Sequence, residues 1–389
     1  ILSGPAGGVV AGAAIARNHT NANLITADMG GTSFDVSVIH AGEPSFARDA
    51  EMGGLALAVP MLDIHTVGAG GGSIAWVDSG GALRVGPQSA GAVPGPACYG
   101  RGGDRPTVTD ATLVLGRLAR TSLLGGTMSL DAEAARRAVH NHLAKPLGMS
   151  IEAAAEGVLR VVNATMTAAI RKLTVERGHD PREFVLCPFG GAGPLHGAEL
   201  AAELGIKQTL VPIAPGVTSA LGLLMSNLRE DRVRTHIALL DYSALADIEC
   251  IFDELERYAT MRLAMFAGER STVRQLGMRY HGQRYELAVP PVAAFDLVSW
   301  EHDFHQAHQQ QYGYARRREP IEIATVWVSV EIDLQPVTLP LLANATAPPE
   351  PKDCRTVVFA GQSHDTPVFD RAVLAAGSTL AGPATIEQL

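Results

Sequence analysis

Residues 24–40 read LITADMGGTSFDVSVIH, and this stretch decides the predicted fold of the chain. The apolar run that ends at Asp28 is typical of a buried strand. The alternation of Phe34, Val36 and Val38 is typical of a second strand with one buried face. Two glycines and two hydroxyl residues separate these runs, which predicts a tight turn. The stretch therefore predicts a strand, a glycine turn and a second strand.

The glycine turn carries residue types that suit a phosphate site. Gly30 and Gly31 leave backbone N–H groups open to phosphate oxygens. Thr32 and Ser33 add two hydroxyl groups. Asp28, at the end of the first strand, can hold Mg²⁺ through a water molecule. An ordinary hairpin turn with a polar tip is the alternative interpretation.

A second glycine turn follows the apolar run of residues 184–189. Gly190, Gly191 and Gly193 lie between this predicted strand and a helix that begins at Pro194. Backbone donors and the helix dipole at such a position suit an anion or a nucleotide. Neither glycine turn contains the lysine of a Walker P-loop, and no GxGxxG motif is present, so P-loop and Rossmann folds are disfavoured.

The order of predicted elements indicates an α/β fold for residues 1–235, where helices and strands alternate. The predicted helices there cover residues 6–17, a segment from Ser129 or Asp131 to about Leu143, and a long segment that starts at Ser150 and ends at Gly178. A strand is predicted at 209–212. Beyond His236 the predicted elements are helices 241–266 and 299–311, strands 272–280, 284–289 and 321–334, and a linker at 336–351. This change in the pattern of predicted helices and strands predicts a domain boundary near residue 236.

Composition excludes several classes of protein. The 389 residues include 47% hydrophobic residues and carry a formal net charge of −9, so a largely disordered chain and a nucleic-acid partner are excluded. No apolar run reaches the ~18 residues of a membrane helix, which predicts a soluble protein with no membrane partner. The four cysteines lie 63 or more positions apart, without a CxxC pair, and this spacing predicts a reduced, cytoplasmic setting.

The motifs together resemble a known family. Residues 28–35 and 189–194 resemble the second phosphate loop and the adenosine motif of actin-like ATPases. The segments SGPAGG (3–8), HTVGAGGGSIA (65–75), PGPACYG (94–100), TVTDA (107–111) and PLH (194–196) resemble the hydantoinase A / 5-oxoprolinase family over essentially the whole chain. Members of that family couple ATP hydrolysis to the opening of a cyclic amide, and their close relatives are the ATP-using subunits of acetone and acetophenone carboxylases.

The resemblance implies an actin-like ATPase core, represented by its second half, in residues 1–236, and a smaller α+β domain in residues 237–389. The family's first phosphate loop would precede Ile1, and family members continue beyond Glu387. The expectation is therefore a partial chain that lacks the N-terminal lobe, is inactive alone, and exposes apolar surface at residues 1–10 and 24–27.

The resemblance also implies ATP and Mg²⁺ as cofactors, a hydantoinase B-like partner subunit, and a hetero- or homo-oligomer. The predicted nucleotide-binding residues are Gly30, Gly31, Thr32, Ser33, Gly190, Gly191 and Gly193. The expected function is ATP-dependent hydrolysis of a cyclic amide of the hydantoin or 5-oxoproline type. The alternatives are an ATP-using subunit of a carboxylase and a non-catalytic nucleotide-binding fragment.

The predicted catalytic residues are Asp28, Asp35, Asp63 and His65. Asp63 and His65 lie two apart, so on a strand they share a face, where they could hold a second divalent metal or relay a proton. A structural hydrogen bond between the two is the alternative. Asp110 is either a helix cap or a site carboxylate.

Further histidines are open to two interpretations each. His196 either contacts substrate or is a buried, hydrogen-bonded histidine. His302, His305 and His308 recur at three-residue spacing on one predicted helix, which favours a polar helix surface over a metal site.

Overall fold

The computed structural model describes residues 3–17, 22–47, 50–52, 55–57, 61–120, 127–289, 296–334 and 342–388. The chain divides into two compact units. The first contains Ile1–Leu224 and Thr338–Leu389, and the second contains Met225–Val337. Of the predicted linker at 336–351, residues 336–341 lie outside the described residues.

The first unit mixes helices with several small sheets. Its helices are α1 (Ser3–Arg17), α2 (Val108–Val114), α3 (Ala132–Val139), α4 (Lys145–Leu147), α5 (Ile151–Leu173), α6 (Gly193–Leu204) and α7 (Thr218–Leu224). Its strands up to α7 are β1 (Leu24–Met29), β2 (Phe34–His40), β3 (Glu43–Pro44), β4 (Phe46–Ala47), β5 (Ala50–Met52), β6 (Leu55–Leu57), β7 (Met61–Leu62), β8 (His65–Val67), β9 (Ser73–Val77), β10 (Leu83–Ser89) and β11 (Val185–Phe189).

The second unit follows with its own sheet, and three strands return to the first unit. The elements of the second unit are β12 (Leu228–Leu239), α8 (Tyr242–Arg262), β13 (Glu269–Tyr280), β14 (Leu287–Val289), α9 (Leu297–Tyr312) and β15 (Ile321–Asp333). The returning strands are β16 (Asp353–Phe359), β17 (Gln362–Asp370) and β18 (Thr385–Glu387).

The main sheet of the first unit is built around β1. The strand order is β11-β1-β2-β3, with β8 also paired to β2. β1 runs parallel to β11 and antiparallel to β2. The predicted strand, glycine turn and strand at residues 24–40 are therefore present.

Both faces of β1 are covered by apolar side chains. Ile25, Ala27 and Met29 pack into the cluster that contains α5, whereas Leu24 packs with residues of α1. Leu24, Ile25 and Ala27 are each 0% exposed. The expectation that residues 24–27 form an exposed apolar surface is wrong, because α1 covers the face that the expectation left open.

Sequence signals set the ends of the two helices that frame the site. The Ser150 hydroxyl accepts a hydrogen bond from Ala153 N at 3.1 Å and caps α5. α6 has Pro194 in its first turn and ends at Gly205, which has φ 70°. The predicted strand at 209–212 is reduced to a single bridge between Leu186 and Thr209.

The second unit has one antiparallel sheet in the order β12-β15-β13-β14. Apolar residues of α8 and α9 form one core with alternate residues of these strands. β12 continues through residue 236, the predicted boundary. The division of the chain into family domains at that residue stays a prediction.

His305 and His308 of α9 belong to this core rather than to the helix surface. They are 4% and 2% exposed, whereas His302 is exposed. The predicted polar surface is wrong for these two, because α9 buries the face that carries Phe304 and Trp300, one and two turns before His308.

Candidate functional site

Two glycine turns that are distant in sequence meet at one edge of the main sheet. Because β1 and β11 run parallel and Asp28 pairs with Phe189, the turns that follow both strands leave the sheet side by side. Ala192 N donates a hydrogen bond to the Met29 carbonyl oxygen at 2.9 Å. The structure therefore brings the predicted phosphate turn and the predicted nucleotide turn together.

A third glycine segment, residues 70–72, packs against the turn at residues 30–32. Gly71 N donates to Gly30 O at 3.0 Å, and Gly72 N donates to Gly31 O at 2.7 Å. A Cβ added to Gly70 would lie 2.5 Å from the Thr32 nitrogen. Only glycine allows this close approach of the two backbones.

The front of both turns is open. A Cβ added to Gly30, Gly31 or Gly191 would meet no atom within 4 Å. Gly31, Thr32 and Gly191 are exposed. The turns thus present unobstructed backbone to a ligand, while Gly190 has φ 80°, a conformation that favours glycine.

Two carboxylates face each other where the hairpin β1–β2 ends. Asp28 and Asp35 are directly paired across the two strands, so their side chains share one face of the sheet. The Ser219 hydroxyl donates to Asp28 Oδ2 at 2.9 Å. The Ser33 hydroxyl donates to Asp35 Oδ2 at 3.2 Å, and the Thr66 hydroxyl donates to Asp35 Oδ1.

The surroundings of Asp28 raise the pKa of its carboxyl. Burial raises the pKa of the Asp28 carboxyl above its ordinary value, the Ser219 hydrogen bond lowers it, and the negative charge of Asp35 raises it. Carboxylate oxygens are the donor type that hard divalent cations prefer.

Asp63 and His65 do not form the pair that their spacing predicts. Asp63 is 7% exposed and forms an ion pair with Arg177. Asp63 lies between β7 and β8, whereas His65 is the first residue of β8 and pairs with Val36. The predicted shared strand face is wrong, because the strand is interrupted between the two residues.

His65 is half-buried near charged residues of the α5 terminus. Burial lowers its pKa below the ordinary value, the positive charge of Lys172 lowers it further, and Glu176 raises it. Within the described ranges, no group of three or more His, Cys, Asp or Glu side chains is arranged to hold a metal ion. The metal roles of Asp63 and His65 stay predictions.

His196 lies inside a polar network behind the second glycine turn. It is 2% exposed, and its Nδ1 lies 2.7 Å from Asn163 Oδ1. Asn163 Nδ2 donates to Glu199 at 2.6 Å, and Arg117 donates to the same carboxylate at 2.6 Å. His196 therefore takes the buried, hydrogen-bonded form, and its contact with substrate stays a prediction.

Asp110 belongs to a helix cap. Its carboxylate is fully buried and accepts hydrogen bonds from Thr107 N, Ala97 N and Cys98 N. It forms a capping box with Thr107 at the start of α2. The structure thus shows Asp110 as part of the N-terminal cap of α2.

Sequence reasoning missed the two hydroxyl residues that hold the carboxylates, Ser219 and Thr66. Ser219 lies 191 positions from Asp28 in a segment without any motif, so no local signal identifies it. Thr66 lies inside the quoted segment 65–75, between His65 and the glycines that drew attention.

No helix in the described part of the chain is both long and apolar enough to cross a membrane.

Comparison with known proteins gives consistent matches. Residues 1–232 match the hydantoinase/oxoprolinase family. The chain is 39% identical to caprolactamase subunit alpha of Pseudomonas jessenii, over 100% of this chain and 58% of that protein. It is 35% identical to 5-oxoprolinase 1 of Arabidopsis thaliana, over 99% of this chain and 32% of that protein.

Solved structures agree with the sequence matches. A nucleotide-free acetone carboxylase superposes with a TM-score of 0.86 at 25% identity, over 99% of this chain and 57% of that chain. The ATP-dependent caprolactamase of Pseudomonas jessenii superposes with a TM-score of 0.80 at 37% identity, over 100% of this chain and 58% of that chain. The chain thus spans a little over half the length of such relatives.

Proposed function

The chain belongs to the hydantoinase/oxoprolinase family, and we propose that it supplies the nucleotide-binding half of an ATP-dependent enzyme that opens a cyclic amide. The observation that carries the proposal is the meeting of the two glycine turns beside Asp28. A strand end with a carboxylate, next to two turns whose exposed glycines leave the backbone accessible, is suited to a nucleotide and its cation. We further propose that this sheet is the second half of an actin-like ATPase core.

The residues at this edge fit ATP and Mg²⁺. A Cβ would fill the space in front of Gly30, Gly31 and Gly191, so glycine keeps a cradle open for phosphate and nucleoside groups. Asp28 and Asp35 present carboxylate oxygens on one face, which is the donor type that Mg²⁺ takes. In this proposal Asp28 holds Mg²⁺ through a water molecule, and Thr32, Ser33, Gly190 and Gly193 complete the nucleotide site.

Bound ATP would supply a phosphoryl group to the amide oxygen, which would make the amide carbon more reactive towards water. After water has added, the C–N bond would break with a proton going to the ring nitrogen, and hydrolysis of the remaining acyl phosphate would release phosphate and the carboxylate. The chain's own residues then have three tasks: to orient the nucleotide, to exclude water, and to move a proton. We assign the proton transfer to His65, which begins β8 beside β2 and whose pKa is lowered by burial. Asp63, which is held by Arg177, would orient the substrate side of the site.

A carboxylase subunit is the second candidate function. The high structural similarity to acetone carboxylase supports it, since the same cleft could serve phosphorylation of a different oxygen. In either case we propose a hetero-oligomer with a hydantoinase B-like subunit, because the relative from Pseudomonas jessenii is itself named as a subunit. A chain that binds nucleotide without turnover is the remaining alternative.

The test uses the complete enzyme that contains this chain, together with its neighbouring subunit. Phosphate release is measured with caprolactam, 5-oxoproline or hydantoin, and separately with acetone and bicarbonate. We expect stimulation by a cyclic amide, and a loss of about a hundredfold in turnover for Asp28→Asn. Asp247→Asn, an exposed aspartate of α8, is the matched control and should leave turnover unchanged.

Three outcomes would contradict the proposal in distinct ways. Stimulation only by acetone and bicarbonate would assign the carboxylase function. ATP binding without stimulated phosphate release would assign the non-catalytic alternative. Equal turnover in Asp28→Asn and Asp247→Asn would remove Asp28 from the site.

A further inference from the structure

The second unit contains a cavity of about 180 Å³ to which no residue of the nucleotide cleft contributes. Its walls include four ring side chains, and its apolar floor is formed by Met278 of β13 and Leu287 of β14, which face each other in register. The ring side chains are Tyr285, His308, Tyr312 and Tyr314. For comparison, an engineered cavity of about 150 Å³ binds one benzene molecule, so this cavity matches a single six-membered ring with substituents.

His308 is held rigidly in the cavity wall. Its ring centroid lies 4.6 Å from that of Tyr312, 4.9 Å from that of Tyr314 and 4.8 Å from that of Tyr280. Its Nδ1 lies 2.8 Å from the Tyr314 carbonyl oxygen, so Nδ1 must donate to it. In the neutral imidazole this leaves Nε2 as an acceptor for a ligand N–H or O–H. A side chain that is only 2% exposed and lines a cavity is preorganised for this contact.

The cavity wall also contains a cationic side chain, the guanidinium of Arg284. Arg279 pairs with Glu322, and Arg316 pairs with Glu319. The third arginine, Arg284, lines the cavity. In the part of the chain that the structure describes, Arg284 takes part in none of the ion pairs. A guanidinium beside aromatic rings favours a planar anion and opposes a cation.

Gln283 adds a further polar group beside Arg284. Its Oε1 accepts a hydrogen bond from Tyr280 N at 3.4 Å, so its amide NH₂ is directed by that contact and can donate to a carboxylate. The nearby Glu286 is directed towards Thr325, whose hydroxyl donates to it at 2.7 Å, and it does not line the cavity.

We propose that this cavity is a binding site for a single-ring aromatic carboxylate that carries a hydrogen-bond donor on its ring. The aromatic walls stack on the ring, Arg284 and Gln283 take the carboxylate, and His308 Nε2 accepts from the ring donor. The site is separate from the proposed nucleotide cleft and does not depend on the activity assigned to that cleft.

The test is calorimetric titration of the 389-residue chain with 4-hydroxybenzoate. The comparison probes are benzyltrimethylammonium, which has a similar size and the opposite charge, and cyclohexanecarboxylate, which has the charge without the flat ring. We expect saturable binding of 4-hydroxybenzoate, binding at least about tenfold weaker for cyclohexanecarboxylate, and none for the cation.

Variants assign the binding to the cavity. Arg284→Gln and Tyr285→Ala should each weaken 4-hydroxybenzoate binding about tenfold or more. The matched controls are Arg318→Gln and Tyr242→Ala, since both residues are exposed and neither lines the cavity. Tyr285 is 76% exposed and Tyr242 is 80% exposed, so both alanine substitutions should leave the fold intact.

Several results would overturn the proposal. No saturable heat with 4-hydroxybenzoate up to about 10 mM would show that the cavity is not a site for such acids. Tighter binding of benzyltrimethylammonium would assign a cation site instead. Equal losses in the cavity variants and in their controls would place the binding elsewhere on the chain.

Discussion

Replacement of Gly70 by alanine should distort the proposed phosphate turn, although Gly70 itself lies outside that turn. The added methyl carbon would lie 2.5 Å from Thr32 N, where contacts of 3.4 Å or more are ordinary. The glycine segment and the turn would have to separate by about 0.5–0.9 Å. That movement stretches the hydrogen bonds Gly71 N–Gly30 O (3.0 Å) and Gly72 N–Gly31 O (2.7 Å).

The expected cost follows from these contacts. Overpacking of this kind costs about 1–3 kcal/mol, and each weakened hydrogen bond adds about 0.5–1.5 kcal/mol. We therefore expect the free energy of unfolding of Gly70→Ala to fall by about 2–6 kcal/mol in urea titrations. The affinity for a fluorescent ATP analogue should fall about tenfold or more, because Thr32 and Gly31 are displaced.

Gly4→Ala is the matched control for this experiment. Gly4 is exposed in α1, and a Cβ there would meet nothing within 4 Å. The control should leave nucleotide affinity unchanged and stability unchanged or raised by up to about 1 kcal/mol. Unchanged stability in Gly70→Ala would refute the close backbone contact. Lowered stability with unchanged nucleotide affinity would refute the turn as the nucleotide site.

Two further predictions concern His196 and Ser219. Burial lowers the pKa of His196 to about 4, below about 6.5 in the unfolded chain, so the unfolded chain binds more protons between these values. The free energy of unfolding is therefore not reduced by His196 above pH 6.5, and it falls as the pH decreases from 6.5 towards 4. From pH 8 to pH 5 the free energy of unfolding should fall by about 2 kcal/mol more in the parent than in His196→Gln. Parallel curves of unfolding free energy against pH for the two proteins would be evidence against this effect of His196. Ser219→Ala removes the hydroxyl that donates to Asp28, so the Mg²⁺-dependent affinity for nucleotide should fall about tenfold. Ser219→Thr keeps a hydroxyl and should restore most of that affinity. No recovery in the threonine variant would argue against an orienting role of the Ser219 hydroxyl.

The sequence predicted the elements whose signals are local. The alternation of Phe34, Val36 and Val38, the glycines between the strands, the Ser150 cap and the Pro194 helix start each act within a few residues. Such signals fix where strands and helices begin. They also placed the two glycine turns after strands that the structure finds to be parallel neighbours.

The contacts that sequence reasoning missed join residues far apart along the chain. Asp63 pairs with Arg177, 114 positions later, and Asp28 is held by Ser219, 191 positions later. Neither partner lies in a motif, so the spacing of Asp63 and His65 suggested a pair that the interrupted strand prevents. His305 and His308 of α9 were also misassigned because of a distant contact. Their rings pack against Tyr280 of strand β13.

In the proposed site a nucleotide lies between the turn after β1 and the turn after β11. Hydrogen–deuterium exchange of the chain, with and without a non-hydrolysable ATP analogue and Mg²⁺, tests it directly. We expect slower exchange of the backbone amides of residues 28–35 and 189–193, with little change in the second unit. Protection confined to other segments, at nucleotide concentrations that saturate binding, would contradict it.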